Sequence, residues 1–276
     1  MSRRCRRHGS KAEVRFLPGS ALELAVDFNA ATSLALPLDF EAPHPQHFGA
    51  PPAASTAYRV GNFEGAVARG ASCNCQRITL IPHCNGTHTE SASHLTLQQR
   101  PLQEIVPAGP MNAVLLTVPP ESSAATSEDS LPGPHPADRL ITRSALLAAW
   151  SRSGAVGPQA LLLRTGTDWR DSAPPYLSRQ LMQELVARGI EHLVTDLPSV
   201  DRLEDDGLLT AHRIFFGLPE RSADLGEARR AHCTITELAQ FPRHLADGPC
   251  ALQLQIPAFS GDAVPSRPLH LPRLPA

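Results

Sequence analysis

The sequence predicts an α/β fold, and three neighbouring features predict it. Leu161-Leu162-Leu163-Arg164 is a short apolar run closed by Thr165-Gly166, as expected of a strand buried on both faces. Ser178 stands where it can cap a helix carrying Leu181, Met182, Leu185 and Val186, and Gly189 lies just past its end. His192-Leu193-Val194-Thr195-Asp196 reads as a second strand. Strand, helix, strand at this spacing is a βαβ crossover, which implies a right-handed parallel pair.

The flanking elements are simpler. A helix is expected over residues 143–152, built on Ser144, Leu146, Leu147 and Trp150. Alternation in Ile78-Thr79-Leu80-Ile81 and in Leu252-Gln253-Leu254-Gln255-Ile256 suggests two more strands, the latter with one wet face. Pro37, Pro43, Pro45, Pro51 and Pro52 make residues 29–58 an extended, irregular approach to the core. Residues 119–137, rich in Pro, Ser and acidic side chains, read as an exposed, mobile loop that interrupts one domain without dividing two. No internal repeat is present. The organisation expected is a flexible tail over residues 1–20 and a single domain over 21–276.

Composition narrows the partners. The 276 residues are 42% hydrophobic and 19% charged, enough for a sizeable core and too apolar for disorder. A formal net charge of -2 gives no electrostatic case for nucleic acid or an anionic membrane. The basic cluster Arg3, Arg4, Arg6 and Arg7 is short and reads as a frayed tail. Six cysteines, at 5, 73, 75, 84, 233 and 250, are too sparse for a disulfide framework. With no membrane-length apolar run and no secretory signal core, a soluble, reduced, cytoplasmic protein is expected.

The chemistry concentrates in residues 83–94. Three histidines (His83, His88, His94), the thiol of Cys84 and the carboxylate of Glu90 fall within twelve residues. His88 and Glu90 are two apart, so in an extended segment both side chains point the same way and can reach one ion. Gly86 is expected to let the chain turn tightly before His88, and His94 is close enough to shuttle a proton without being a ligand. Other groups favour plainer readings. His8, His44, His47, His135, His192, His244 and His270 are taken as ordinary surface or core histidines, and His232 as less settled. Cys73-Asn74-Cys75 with Cys84 lacks the spacing of a structural zinc site. Arg164-Thr165-Gly166 reads at least as well as a strand end with a satisfied arginine as an anion nest, and Asp196 and Asp201 as hydrogen-bonding residues after a strand.

The run from Cys84 to His94 resembles the signature of the metal-dependent cyclase family, which includes bacterial kynurenine formamidases: His-any-Gly-Thr-His-any-Asp-any-Pro-any-His. Further similarity lies in Leu162-Leu163-Arg164-Thr165-Gly166, Asp196-Leu197-Pro198-Ser199-Val200-Asp201, Ala211-His212-Arg213 and Ile235-Thr236-Glu237-Leu238. The resemblance implies a swivelling β/α/β fold, with a mixed sheet or barrel-like core and flanking helices. It implies a pocket for one or two divalent ions, zinc or manganese. Cys84 or His83, with His88 and Glu90, would hold the first ion; Glu90, His212 and Glu237 would hold the second. His94 would be general base and then acid in metal-assisted hydrolysis of an amide or ester of a small molecule, as in an arylformamidase. A lyase or cyclase step on the same platform, or an inactive ligand-binding relative, are the alternatives. A homodimer or homotetramer is expected by the same analogy.

The chain departs from the family in three places. The first-ligand register holds Cys84, with His83 displaced by one residue, and a thiolate there would favour zinc. Glu90 replaces the bridging aspartate and Ala92 the proline. About two dozen residues separate His212 from Glu237, roughly twice the family spacing, which makes residues 217–234 an expected insertion near the site.

Overall fold

The computed structural model describes residues 13–16, 24–166 and 173–274. The expected tail with its basic cluster lies outside them, apart from a strand at Glu13–Phe16 that pairs antiparallel with Leu24–Asp27. The α/β expectation holds: a curled, mixed nine-stranded sheet forms half a barrel, with helices on one face. In chain order its strands are β1 (Thr32–Ser33), β2 (His88–Glu90), β3 (Met111–Thr117), β4 (Ala160–Arg164), β5 (His192–Thr195), β6 (Thr234–Glu237), β7 (Gly248–Gln255), β8 (Ala263–Pro265) and β9 (Arg267–Pro272). Across the sheet they run β8-β2-β6-β5-β4-β3-β7-β9-β1. The centre, β3 to β6, is parallel, and both flanks are antiparallel. The helices are α1 (Pro82–Asn85), α2 (Arg143–Ser153), α3 (Arg179–Ala187) and α4 (Thr210–Phe216). None of the described helices is long and apolar enough to cross a membrane.

The near-continuous apolar strands follow from burial on both faces. Leu161 and Leu163 of β4 join α2, α3 and α4 in one cluster, through Leu146, Leu181 and Phe215. Leu162, one residue out of phase, joins Leu115 of β3 and Leu252 of β7 in a second cluster on the other face. The βαβ unit stands where the sequence put it. Ser178 caps α3 by accepting the Leu181 N–H, and Gly189 follows the helix at φ +73, a backbone region that penalises any Cβ. Ile78 falls outside the main sheet: Gln76–Thr79 pairs with Ala54–Ala57 as an exposed ribbon. The segment 119–137 has exposed tips, yet Glu128 ties it to two helices. The Glu128 carboxylate accepts the N–H groups of Arg143 and Ser144 (2.7 and 3.0 Å) and the Ser178 hydroxyl (2.5 Å). Arg164 is satisfied by the Thr117 hydroxyl and Asp247 (2.9 Å each), as the plainer reading had it.

Glu128→Ala removes a carboxylate shared by the first turn of α2 and the cap of α3. A loss of about 2 kcal/mol is expected in urea unfolding; a loss below about 0.5 kcal/mol would mean that the loop contributes nothing. A second prediction concerns Asp196, just past β5. Burial raises its pKa to about 6, although the Thr165 N–H and hydroxyl donate to it. The native state therefore holds this proton more tightly than the unfolded chain, whose aspartates titrate near 4. The contribution is fully present below about pH 4 and lost as pH rises through about 6, a fall of roughly 2–3 kcal/mol. Asp196→Asn should flatten the stability profile in that window, and an unchanged slope would show that Asp196 ionises normally.

Candidate metal centre

The site forms where the antiparallel flank meets the end of the parallel centre. Strand β2 lies between β6 and β8, with His88 opposite Glu237 and Glu90 opposite Ile235. Directly opposed residues share a face, so His88, Glu90 and Glu237 all point toward α4. Thr89, of opposite parity, pairs with Thr236 by a buried hydroxyl contact of 2.7 Å on the far side. The Thr87 hydroxyl donates to the Leu238 carbonyl (2.5 Å) and accepts the Leu36 N–H (2.8 Å). These contacts fix the register that aims the ligands. Leu238 itself sits at φ +54, a strained conformation for leucine, immediately after Glu237.

Each inward side chain is oriented by a further partner. His88 Nδ1 donates to the Gly86 carbonyl (3.0 Å), leaving Nε2 facing Glu237 Oε2 at 3.5 Å. Glu237 Oε1 accepts the Val200 N–H at 2.8 Å. On α4, His212 Nδ1 donates to Asp201 Oδ2 (2.7 Å), while the N–H groups of Ala211 and His212 also end on Asp201. His212 Nε2 is thereby held 2.9 Å from Glu90 Oε1 and 3.6 Å from Glu237 Oε1. From α1, His83 places Nδ1 3.1 Å from Glu90 Oε2 and Nε2 2.8 Å from Asp262 Oδ2. His94 Nδ1 stands 3.4 Å from the same Asp262 oxygen, with its ring 4.2 Å from that of His83.

Burial divides the site in two. Glu90, His88, His212 and Glu237 are buried, whereas His83, His94 and Asp262 form the accessible mouth. Burial opposes ionisation of Glu90, but the imidazoles of His212, His94 and His83 hold its carboxyl well below the usual carboxylate range. His212, which burial would discharge, is raised well above the ordinary imidazole value by Glu90 and Asp201. Burial likewise opposes charge on His83, yet Asp262 and Glu90 push it up to about 10. Asp262 lies far below its usual range, chiefly because His83 and then His94 bond to it.

The donor set fits a divalent ion. Two groups, His83-Glu90-His94 and His88-Glu90-Glu237, each bring one ligand atom per residue within 4.8 Å of the others. His88 Nε2 and both Glu90 oxygens are buried and accept or donate no directed hydrogen bond. The imidazoles of His212 and His83 at 2.9 and 3.1 Å offset the Glu90 charge without well-aligned hydrogen bonds, and a cation would satisfy both the carboxylate and the His88 lone pair.

The sequence-derived residues divide accordingly. The structure brings His83, His88, Glu90, His94 and Glu237 into these groups, with His212 beside them 2.9 Å from Glu90. Cys84, although buried, belongs to neither group and meets none of these residues in an ion pair, and burial raises its thiol pKa. Gly86 does not make the expected tight turn. It is extended (φ 174, ψ -174) with nothing within 4 Å of a Cβ position, and its role here is to offer a carbonyl to His88. His232 is exposed and 3.9 Å from Glu191, away from the site. Cys73 and Cys75 are exposed and unpaired, and no cysteine joins a ligand group among the described residues. Asp262 was missed, since a lone Gly-Asp before a strand carries no signal. Burial lowers the pKa of His47, against the opposing charge of Glu237, and His47 joins neither ligand group, as expected of an ordinary histidine.

Comparisons with known proteins bear on the fold and the family. The family described as putative cyclase matches residues 24–202. Isatin hydrolase A from Labrenzia aggregata, bound to benzyl benzoate, superposes with a TM-score of 0.58 at 17% identity, covering 88% of this chain and 94% of that one. A predicted metal-dependent hydrolase from Bacillus stearothermophilus gives 0.54 at 16% identity, covering 87% and 97%. A potential metal-dependent hydrolase with cyclase activity gives 0.55 at 17%, covering 88% and 98%. No curated protein sequence matches the chain. With the family pattern spanning well over half of its length, the chain belongs to the putative cyclase family.

Proposed function

We propose that this chain is a metal-dependent hydrolase that cleaves an amide bond, open as in an aryl formamide or closed as in a lactam, of a small aromatic molecule. The observation that carries the reading is Glu90, a fully buried carboxylate faced by imidazoles and lacking directed hydrogen bonds. His88, Glu90 and Glu237, with His212 2.9 Å from Glu90, would hold one ion; His83 and Glu90 would hold a second at the mouth, with His94 close enough to share it. With only imidazole and carboxylate donors present, a thiolate preference for zinc has no basis, and manganese is equally suited. A bound ion supplies a Lewis acid for the scissile carbonyl and lowers the pKa of water from about 16 to about 7.

The chain's own residues supply the rest. Gly86, Asp201 and Val200 fix the orientation of the ligands, so that no reorganisation is needed when charge develops. His94 stands at the accessible mouth with Nδ1 toward Asp262, leaving Nε2 to take a proton and return it to the leaving nitrogen. Asp262 acts through His83 and His94, which makes it a positioning residue. The lactam arm rests on the likeness to isatin hydrolases and the formamide arm on the ligand pattern. Assay of aryl formamides, cyclic imides, lactams and hydroxy acids separates them from a lyase, and no turnover of any amide by the metal-loaded protein would refute hydrolysis.

Three predictions follow from these roles. His88→Ala should lose metal and activity together, whereas His94→Ala should keep its metal, by elemental analysis, and lose at least a hundredfold in kcat. Equal metal loss in both would make His94 a ligand instead. His83→Ala should lower metal content while Cys84→Ala leaves it intact, and the reverse pattern would return the ligand role to the thiol. Asp262→Asn should retain metal, lower kcat more than KM rises and move the acid limb of the pH–rate profile to lower pH, because an imidazole that loses its carboxylate partner gives up its proton more readily. An unshifted profile would reduce Asp262 to a structural role.

A further inference from the structure

Residues 217–234 and the outer sides of α3 and α4 enclose a second cavity, of about 720 Å³. Four arginines line it: Arg179 at the start of α3, Arg213 on α4, and Arg221 and Arg229 on the inserted segment. Their acidic counterweight is small. Glu220 lines the same cavity, and Asp129 Oδ2 stands 3.4 Å from Arg179 Nη1.

The four guanidinium groups are not equivalent. Arg213 donates to the carbonyls of Leu208, Pro219 and Ser222 at 3.2, 3.0 and 2.8 Å, so it acts as a strut that holds the segment against α4. Arg179 Nε is buried and without a hydrogen-bond partner. Arg221 and Arg229 form no ion pair among the described residues. Arg221 also adopts φ +62, a left-handed conformation that disfavours any side chain, in the turn that sets it on the cavity. Arg221 and Arg229 are exposed at the cavity's rim, so their charges are open to an incoming anion, and a cavity lined mainly by one sign of charge attracts it. Arginine's planar fork fits phosphate oxygens two at a time. The volume accommodates more than a bare ion.

We propose that this cavity binds a small molecule carrying a phosphoryl group, at a site separate from the His/Glu centre. The two sites use different sides of α4, about 100° apart: His212 faces Glu90, whereas Arg213 lines the cavity. The proposal does not depend on the hydrolase reading.

Thermal unfolding of the intact chain against rising inorganic phosphate, with ionic strength held constant by sodium chloride, tests it. The expected result is a saturable rise in Tm. In R221A/R229A at least ten times more phosphate should be needed for the same rise, with metal content and phosphate-free Tm unchanged. Arg221→Gly is an independent second variant, because glycine suits the left-handed backbone; its phosphate-free Tm should hold or rise while its phosphate response weakens. Identical curves in all three proteins would assign the effect to general salting or to the His/Glu centre, and would overturn the site. A rise that never saturates would overturn it equally.

Discussion

One buried carboxylate governs the site. Glu90 is fully inaccessible and ionised, a state that no protein interior tolerates without compensation. Its compensation comes from three separate parts of the chain: His83 on α1, His94 after β2 and His212 on α4. Those parts converge only because β2 is held in one register between β6 and β8. A slip by one residue would turn His88 and Glu90 to the opposite face of the sheet and bring Thr89 into their place. The Thr89–Thr236 contact and the bond from Thr87 to Leu238 therefore underpin electrostatics as much as packing.

A second layer decides which atoms face inward. Each buried imidazole spends Nδ1 on a fixed acceptor, His88 on the Gly86 carbonyl and His212 on Asp201, which leaves Nε2 of both directed at carboxylates. Asp201 also receives two N–H groups from the first turn of α4, so one side chain anchors the helix and aims its histidine. Toward solvent the pattern changes. Asp262 is shared by His83 and His94 and remains accessible. The dry end suits holding an ion; the wet end suits moving protons to and from a substrate. This polarity follows from the sheet: the ligands on β2 and β6 lie within it, whereas Asp262 precedes β8 on its edge.

Local pattern made part of this legible. The apolar run of β4, the cap and stop of α3, and the two-residue spacing of His88 and Glu90 are short-range signals, and each survives in the structure. His212 and Glu237 could be placed only through resemblance, because nothing within α4 or β6 marks them as ligands. Asp262 lay beyond either approach. Asp262 reaches the site across 179 residues from His83, through a contact that sheet closure creates. Asn85 likewise donates to the carbonyls of Pro45 and Pro51 and so draws the proline-rich approach against α1. Gly86 illustrates the opposite error: a glycine beside a histidine suggests a turn, yet the chain there is extended.

That His83, and not Cys84, faces Glu90 has a structural logic. On a helix, adjacent residues point about 100° apart, so α1 can present only one of the two to Glu90. Its rotation is fixed independently, by Asn85 Oδ1 accepting the Ile81 N–H while Asn85 Nδ2 holds two proline carbonyls. In that rotation His83 faces Glu90, and the Cys84 thiol, with a pKa raised by burial, stays protonated on another side. A histidine displaced by one residue approaches from a different point than the family register provides. Glu90, one methylene longer than the aspartate of the signature, has the reach to meet it at 3.1 Å. The two departures thus compensate each other in bringing an imidazole and the buried carboxylate together.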